Sequence, residues 1–259
     1  MVTLAPANRA AMDSFANLDP RAIALLLDVD GTLIDIAPSP NEVHVSDDLV
    51  QSLTRLLALM DGALALVSGR PLADLDRLFA RLKLPAIGGH GAEMRVARGE
   101  PISRIEDLPD SLRRHLIDAV TPGSGLEYED KGYSVALHYR NAPHEAERLR
   151  RHIAAGRSAC PNETELLLGK AMFEVKRPGI NKGKAVRELM TRPPFAGRTP
   201  VFLGDDITDE SVFALLPELG GIGFSVDRHF PGLAGIFESP VEVRRALRRL
   251  AVKGETISP

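Results

Sequence analysis

The sequence has no tryptophan, three tyrosines and one cysteine among 259 residues. With Cys160 alone, no disulfide can form within the chain, which fits a reducing compartment. Cys160 precedes Pro161 in a loop-like stretch with no base partner in view, so it is not read as a nucleophile. So few aromatics leave no platform for stacking nucleobases. No apolar run approaches the roughly 20 residues that a membrane span needs, so no membrane partner is expected. Neither sign of charge is in large excess: 32 basic and 35 acidic residues leave a net charge of -3. Arginine clusters at 113–114, 148–151 and 244–249 have acids close by and read as solvated helix faces, so no nucleic-acid partner is expected. Residues 1–20 lack a basic start followed by an apolar core; no secretory signal is read, and a cytoplasmic location is expected. His44, His115, His144, His152 and His229 show no metal-ligand spacing.

What is present is a series of apolar runs that stop at polar clusters. Residues 1–20 suggest a short helix or a loose tail. Ile23 to Leu27 reads as a strand buried on both faces, ending at Asp28-Val29-Asp30-Gly31-Thr32. Residues two apart project to the same side, so Asp28 and Asp30 need a cation or a nearby Lys or Arg. Pro38, Ser39 and Pro40 mark a loop. Ser46 is a candidate N-cap, with Asp47 and Asp48 in the first turn of a helix that Asp61-Gly62 stops. Residues 63–67 form a second strand, ending at Ser68-Gly69-Arg70. Pro71 suits the first turn of the next helix, which carries Leu72, Leu75, Leu78, Phe79 and Leu82. Residues 85–88 give a third strand, closed by Gly89-His90-Gly91-Ala92-Glu93. This alternation predicts an α/β fold with a doubly wound, Rossmann-like parallel sheet.

The pattern breaks near Arg104. It becomes helix (109–120), strand (133–140), helix (143–155) and a hairpin (164–168 and 171–175) turning at Gly169-Lys170. Glu129, Asp130 and Lys131 read as a charged loop, and His138 as a packed sheet residue. A smaller α+β domain inserted at 104–178 is expected, with the core formed by 1–103 and 179–259. After Pro178 the parallel pattern resumes. Asn181 caps a helix over 182–190, and a strand over 200–203 ends at Gly204-Asp205-Asp206. Thr208 is read as the cap of a helix over 209–216. A strand over 221–226 and a helix over 241–250 complete the chain.

Polar groups of complementary kinds thus end several elements: Asp28 and Asp30, Ser68 and Arg70, Lys182, then Asp205, Asp206 and Asp209. In a doubly wound sheet these ends share one edge and can converge. Clustered carboxylates demand a hard cation, most simply Mg2+. Ser68 can bond a phosphate oxygen, Lys182 can neutralise its charge, and a carboxylate can then attack phosphorus. Each piece alone has a plainer reading as a turn, a helix start or a solvated charge. Their joint occurrence, in order and each at an element end, is far rarer than any one of them.

Asp28-x-Asp-Gly-Thr, Ser68-Gly-Arg, Lys182 in Asn-Lys-Gly-Lys, and Gly204-Asp-Asp-x-Thr-Asp-Glu resemble the four motifs of the haloacid dehalogenase superfamily. Gly-His90-Gly-Ala-Glu, Glu129-Asp-Lys131-Gly, Leu-His138-Tyr-Arg140 and Phe-Glu174-Val-Lys176-Arg-Pro-Gly narrow this to a resemblance to the trehalose-6-phosphate phosphatase family. It spans about residues 22–250. It departs from the common pattern at Asn181, where Ser or Thr often stands, and at Val29, where Tyr or Phe is common.

The resemblance implies a haloacid dehalogenase core with an inserted cap, hydrolysing trehalose 6-phosphate with Mg2+ through an aspartyl-phosphate. Asp28 would be the nucleophile. Asp30 would be the general acid and then the base, its main-chain carbonyl also binding the metal. Asp205 would be the direct carboxylate ligand, with Asp206 and Asp209 in or next to the metal's second shell. Ser68 and Lys182 would hold the phosphoryl group. Arg70, His90, Gly91, Glu129, Lys131, Arg140 and Glu174 would contact the substrate. A stand-alone phosphatase is expected, since no fused synthase is visible, and a monomer is expected as well. The rivals are a sucrose-phosphate or mannosyl-phosphoglycerate phosphatase, differing only in the cap, and a non-catalytic sugar-binding domain. The last would be expected to have lost Asp28, Asp30 or Lys182.

Overall fold

A computed structural model describes residues 6–36, 43–80, 82–169 and 171–256. The loop read at Pro38, Ser39 and Pro40, and the turn residue Lys170, lie outside the described residues. The chain divides into two compact units, Met1–Ser103 with Asn181–Pro259, and Arg104–Ile180.

In the first unit, helix α1 (Pro6–Ala16) precedes the central strand β1 (Ile23–Leu27). Every β1 residue is buried, as a strand covered on both faces should be. Helix α2 (Asp47–Leu59) is capped by Ser46, whose side chain accepts from the Leu49 amide at 3.4 Å. It ends where Asp61 and Gly62 take left-handed φ values of 49° and 89°. Strand β2 (Leu64–Val67), helix α3 (Leu72–Leu78) and strand β3 (Ala86–Gly88) follow. Pro71 stands just before α3 rather than in its first turn. The first α3 amide, that of Leu72, instead donates to Glu93 Oε2 at 2.6 Å.

Two short strands missed in the sequence, β4 (Glu93–Arg95) and β5 (Ser103–Arg104), extend this edge, β4 running antiparallel to β3. They carry too few residues for any periodicity to show.

The second unit holds helix α4 (Asp110–Ile117), strands β6 (Glu127–Asp130) and β7 (Ser134–His138), helix α5 (Ala146–Arg157), and strands β8 (Glu165–Gly169) and β9 (Met172–Lys176). The sheet order is β6-β7-β9-β8, all antiparallel. Val135, Leu137, Phe173 and Val175 form one core with Leu112, Leu116, Leu149 and Ile153 of the helices. By the two-residue period, Ala136, His138 and Glu174 point to the opposite face. Strand β6 corrects the charged-loop reading of Glu129 and Asp130. Polar on both faces, an edge strand offers no apolar alternation. Asp130 turns to the helix side, where Arg113 grips it at 2.6 and 3.2 Å.

The first unit resumes with α6 (Lys182–Leu189), β10 (Thr199–Gly204), α7 (Glu210–Phe213), β11 (Ile222–Val226), β12 (Gly235–Phe237) and α8 (Pro240–Thr256). Its sheet order is β12-β11-β10-β1-β2-β3-β4-β5, parallel from β12 to β3. Strand β12, three residues long, was also missed. Asp206, not Thr208, is the cap after β10. Its side chain accepts from Ile207 N at 2.6 Å, in a reciprocal box with Asp209. Phe15 of α1 meets Phe224 and Phe237 edge-on at 5.4 and 6.1 Å, docking α1 on β11 and β12. Each such pair adds about 0.5–1.5 kcal/mol beyond area burial.

Candidate active site

The parallel register sets Leu27 beside Leu203, so the chain leaves β1 and β10 at the same level. Asp28 follows one and Asp205 the other. Their carboxylates and that of Asp209 lie within 4.8 Å of one another. Among the described residues this is the one such group of acidic, His or Cys side chains. Two glycines make the approach possible. Gly31 has φ +81°, and a Cβ there would collide with Asp205 Oδ2. At Gly204 a Cβ would collide with Asp209 Oδ2.

Lys182 is the buried cation of the cluster. Asn181 caps α6 by accepting from Lys184 N at 2.8 Å, so Lys182 begins the helix. Its Nζ lies 2.7 Å from Asp28 Oδ1 and 2.7 Å from Asp209 Oδ1. Asp209 is wholly buried, and its Oδ2 accepts from the amides of Asp205 and Asp206 at 3.0 and 3.1 Å. Thr32, also buried, donates to Asp205 Oδ1 at 3.2 Å.

One lysine cannot balance three carboxylates. Burial raises Asp28 to about 6, Asp205 adds to the rise, and Lys182 opposes it. Burial and the nearby Asp28 likewise raise Asp209 to about 6, against Lys182. Asp205 is raised by burial and by Asp209. Burial alone would lower the Lys182 ammonium, but Asp28 and Asp209 outweigh it and push it up. Ionised, the group is a part-buried site with two negative charges in excess, built only of hard oxygen donors. That fits a divalent metal ion of the Mg2+ type.

The other residues singled out in the sequence divide into groups. Ser68 is buried at the end of β2, and its Oγ accepts from Arg70 N at 3.1 Å. Asp30 lies outside the acidic group, gripped by Arg70 through two bonds of 2.6 Å. Asp206 also lies outside, its side chain 58% exposed and 3.9 Å from Arg228. His90 has φ 57°, its amide donates to Ser68 O at 3.1 Å, and its ring lies against Gly69. Gly91 lies against Asn181, at the start of α6. In the second unit, Glu129, Ala136 and Glu174 form one row across β6, β7 and β9. Lys131 is 3.5 Å from Glu129, and Arg140 is exposed beyond β7.

The sequence reading gave Thr32 no role, though it stands in the Asp28-x-Asp-Gly-Thr motif that signals it. It also ranked Asp209 no higher than Asp206, since spacing does not show which acid turns inward.

Solved structures share this architecture. A trehalose-6-phosphate phosphatase related protein covers 90% of the chain and 99% of its own at 24% identity, with a TM-score of 0.69. The C-terminal domain of a C. albicans trehalose-6-phosphate phosphatase covers 97% and 99% at 23% identity, also with a TM-score of 0.69. The parallel core with its inserted α+β unit is a haloacid dehalogenase fold. The sequence profile of trehalose-phosphatase matches residues 26–230. The trehalose-6-phosphate phosphatase of Escherichia coli is 42% identical over 209 residues, 78% of this chain and 77% of that protein. A probable trehalose-phosphate phosphatase of Sinorhizobium fredii is 37% identical over 218 residues, 84% and 82% of the two. The chain belongs to the trehalose-phosphatase family.

Proposed function

We propose that this chain hydrolyses trehalose 6-phosphate to trehalose and phosphate, with Asp28 as nucleophile and Mg2+ as cofactor. The reading is supported by the close group of Asp28 and Asp209, both buried on Lys182, with the half-buried Asp205 beside them. An Asp28 oxygen attacks phosphorus as the bond from phosphorus to the sugar oxygen breaks. Asp30 gives its proton to that leaving oxygen. A water then attacks the aspartyl-phosphate, its proton passes to Asp30, and the Asp28 carboxylate is released. Asp30 thereby regains its starting form.

Mg2+, held by Asp28, Asp205 and the main-chain carbonyl of Asp30, would supply positive charge to the phosphoryl oxygens. Asp209 orients Lys182 and the Asp205 segment rather than reacting. Lys182 also carries charge toward the phosphoryl group. Ser68 accepts from Arg70 N, so its own O–H remains to donate to a phosphoryl oxygen.

In the second unit, Ala136 leaves space between the Glu129 and Glu174 carboxylates. Two acceptors flanking a small residue suit the hydroxyls of a sugar, with Lys131 and Arg140 as further donors.

Phosphate release from a panel of disaccharide phosphates, with Mg2+ and with chelator, tests the reading. Trehalose 6-phosphate should be turned over fastest, and chelator should stop the reaction. Faster turnover of sucrose 6-phosphate, or indifference to chelator, overturns it. Glu174→Ala should raise KM for trehalose 6-phosphate on the order of tenfold, the value of one or two hydrogen bonds. Turnover of 4-nitrophenyl phosphate should be unchanged, and equal losses on both substrates would remove the sugar-binding role.

A further inference from the structure

The two carboxylates after β1 have separate cations. Lys182 serves Asp28. Arg70 serves Asp30, with Nε on Oδ2 and Nη2 on Oδ1, both at 2.6 Å. A fork on both oxygens fixes the rotation of a carboxylate, which the point charge of a lysine would not. The fork is itself braced. Arg70 N donates to Ser68 Oγ at 3.1 Å, and Arg70 O accepts from Gly89 N at 2.9 Å. The Arg70 side chain is 15% exposed, whereas that of Asp30 is 36% exposed. The carboxylate thus faces outward while its holder lies behind it. Two of the Arg70 donors are spent on Asp30, which leaves it poorly placed to grip sugar hydroxyls.

From this geometry we infer that Arg70 is a positioning residue that aims Asp30, and not a sugar contact. The inference rests on the reading of Asp28 as nucleophile and Asp30 as proton carrier. Asp30 acts twice, first giving a proton to the sugar oxygen and then taking one from water, so a misaimed Asp30 slows both halves. An aryl phosphate separates them, because a good leaving group departs without a proton. Its first half needs Asp28 and the groups that hold the phosphoryl, but no proton from Asp30.

Rapid-mixing kinetics of Arg70→Ala with 4-nitrophenyl phosphate is the test. A burst of about one nitrophenol per enzyme should appear at the wild-type rate, followed by steady turnover slowed on the order of 10²-fold, the worth of a positioned acid–base group. Guanidinium in the buffer should speed the slow phase. Unchanged aryl turnover with a raised KM for trehalose 6-phosphate would make Arg70 a sugar contact. A slowed burst would make it a phosphoryl contact or a structural prop. Either result overturns the inference.

A second measurement uses trehalose 6-phosphate. Arg70→Ala should lower kcat without raising KM, and it should cost nothing further in an Asp30→Asn background. Additive losses would overturn the inference. Asp28→Asn is the control. If it still gives a burst, the underlying reading has failed and not the role of Arg70.

Discussion

Asp28→Asn is expected to lower kcat for trehalose 6-phosphate by at least about 10⁴-fold, on the order of 5 kcal/mol of barrier. An amide oxygen is too poor a nucleophile to attack phosphorus, and among the described residues no other carboxylate is placed to replace it. Asp209 is close, but its Oδ2 is held by two amides and its Oδ1 by Lys182. Asp205 is tied to Thr32. Asparagine keeps the shape of the residue and an oxygen for Lys182 to bond. It also removes a carboxylate that burial had raised to about 6. The variant should therefore melt no lower than the wild type without metal. Phosphate release together with thermal melting checks this. A well-folded variant retaining more than about 1% of wild-type kcat would place the nucleophile elsewhere.

Lys182→Met should cost stability as well as activity. Removing one partner of a buried ion pair costs about 3–5 kcal/mol, because the other charge is left uncompensated. Here two partners are left, each 2.7 Å from the missing ammonium. The penalty must depend on pH. Asp28 and Asp209 lie at about 6 in the folded protein against a reference of 3.8. A carboxylate raised by folding contributes stability that is complete below 3.8 and is lost as pH rises through about 6. Without Lys182 both groups rise further, so the deficit against wild type should grow from pH 5 to pH 8. Mg2+ should recover part of it at pH 8. Melting curves at the two pH values, without and with Mg2+, measure this. An equal deficit at both would show that Lys182 acts by packing and not by charge.

The core was legible wherever burial leaves a pattern. Ile23–Leu27 and Leu64–Val67 are aliphatic because both faces of a parallel sheet are covered, and each stops where the chain reaches the site. Strands β4, β5, β6 and β12 were not legible. They are two to four residues long. So short a run shows no period, and each is a strand only through pairing with the strand beside it.

The same limit applies to the candidate site. Spacing placed Asp28, Lys182 and the Asp205–Asp209 segment at element ends. It could not show that Asp209 turns inward to Lys182 while Asp206 turns out to cap Ile207. With four candidate caps within five residues, the spacing pointed to Thr208, whereas Asp206 is the cap. Nor could it show Arg70 gripping Asp30, a partner 40 residues away. Only the convergence of β1 and β2 brings those two together.

Acid-quenched enzyme, mixed for one turnover with trehalose 6-phosphate and Mg2+ and then digested, offers the most direct measurement. Mass spectrometry should find a phosphoryl group on the peptide that carries Asp28, and none should form when Mg2+ is withheld. A phosphoryl group on another residue, or full turnover with no phosphopeptide at any quench time, would contradict the account.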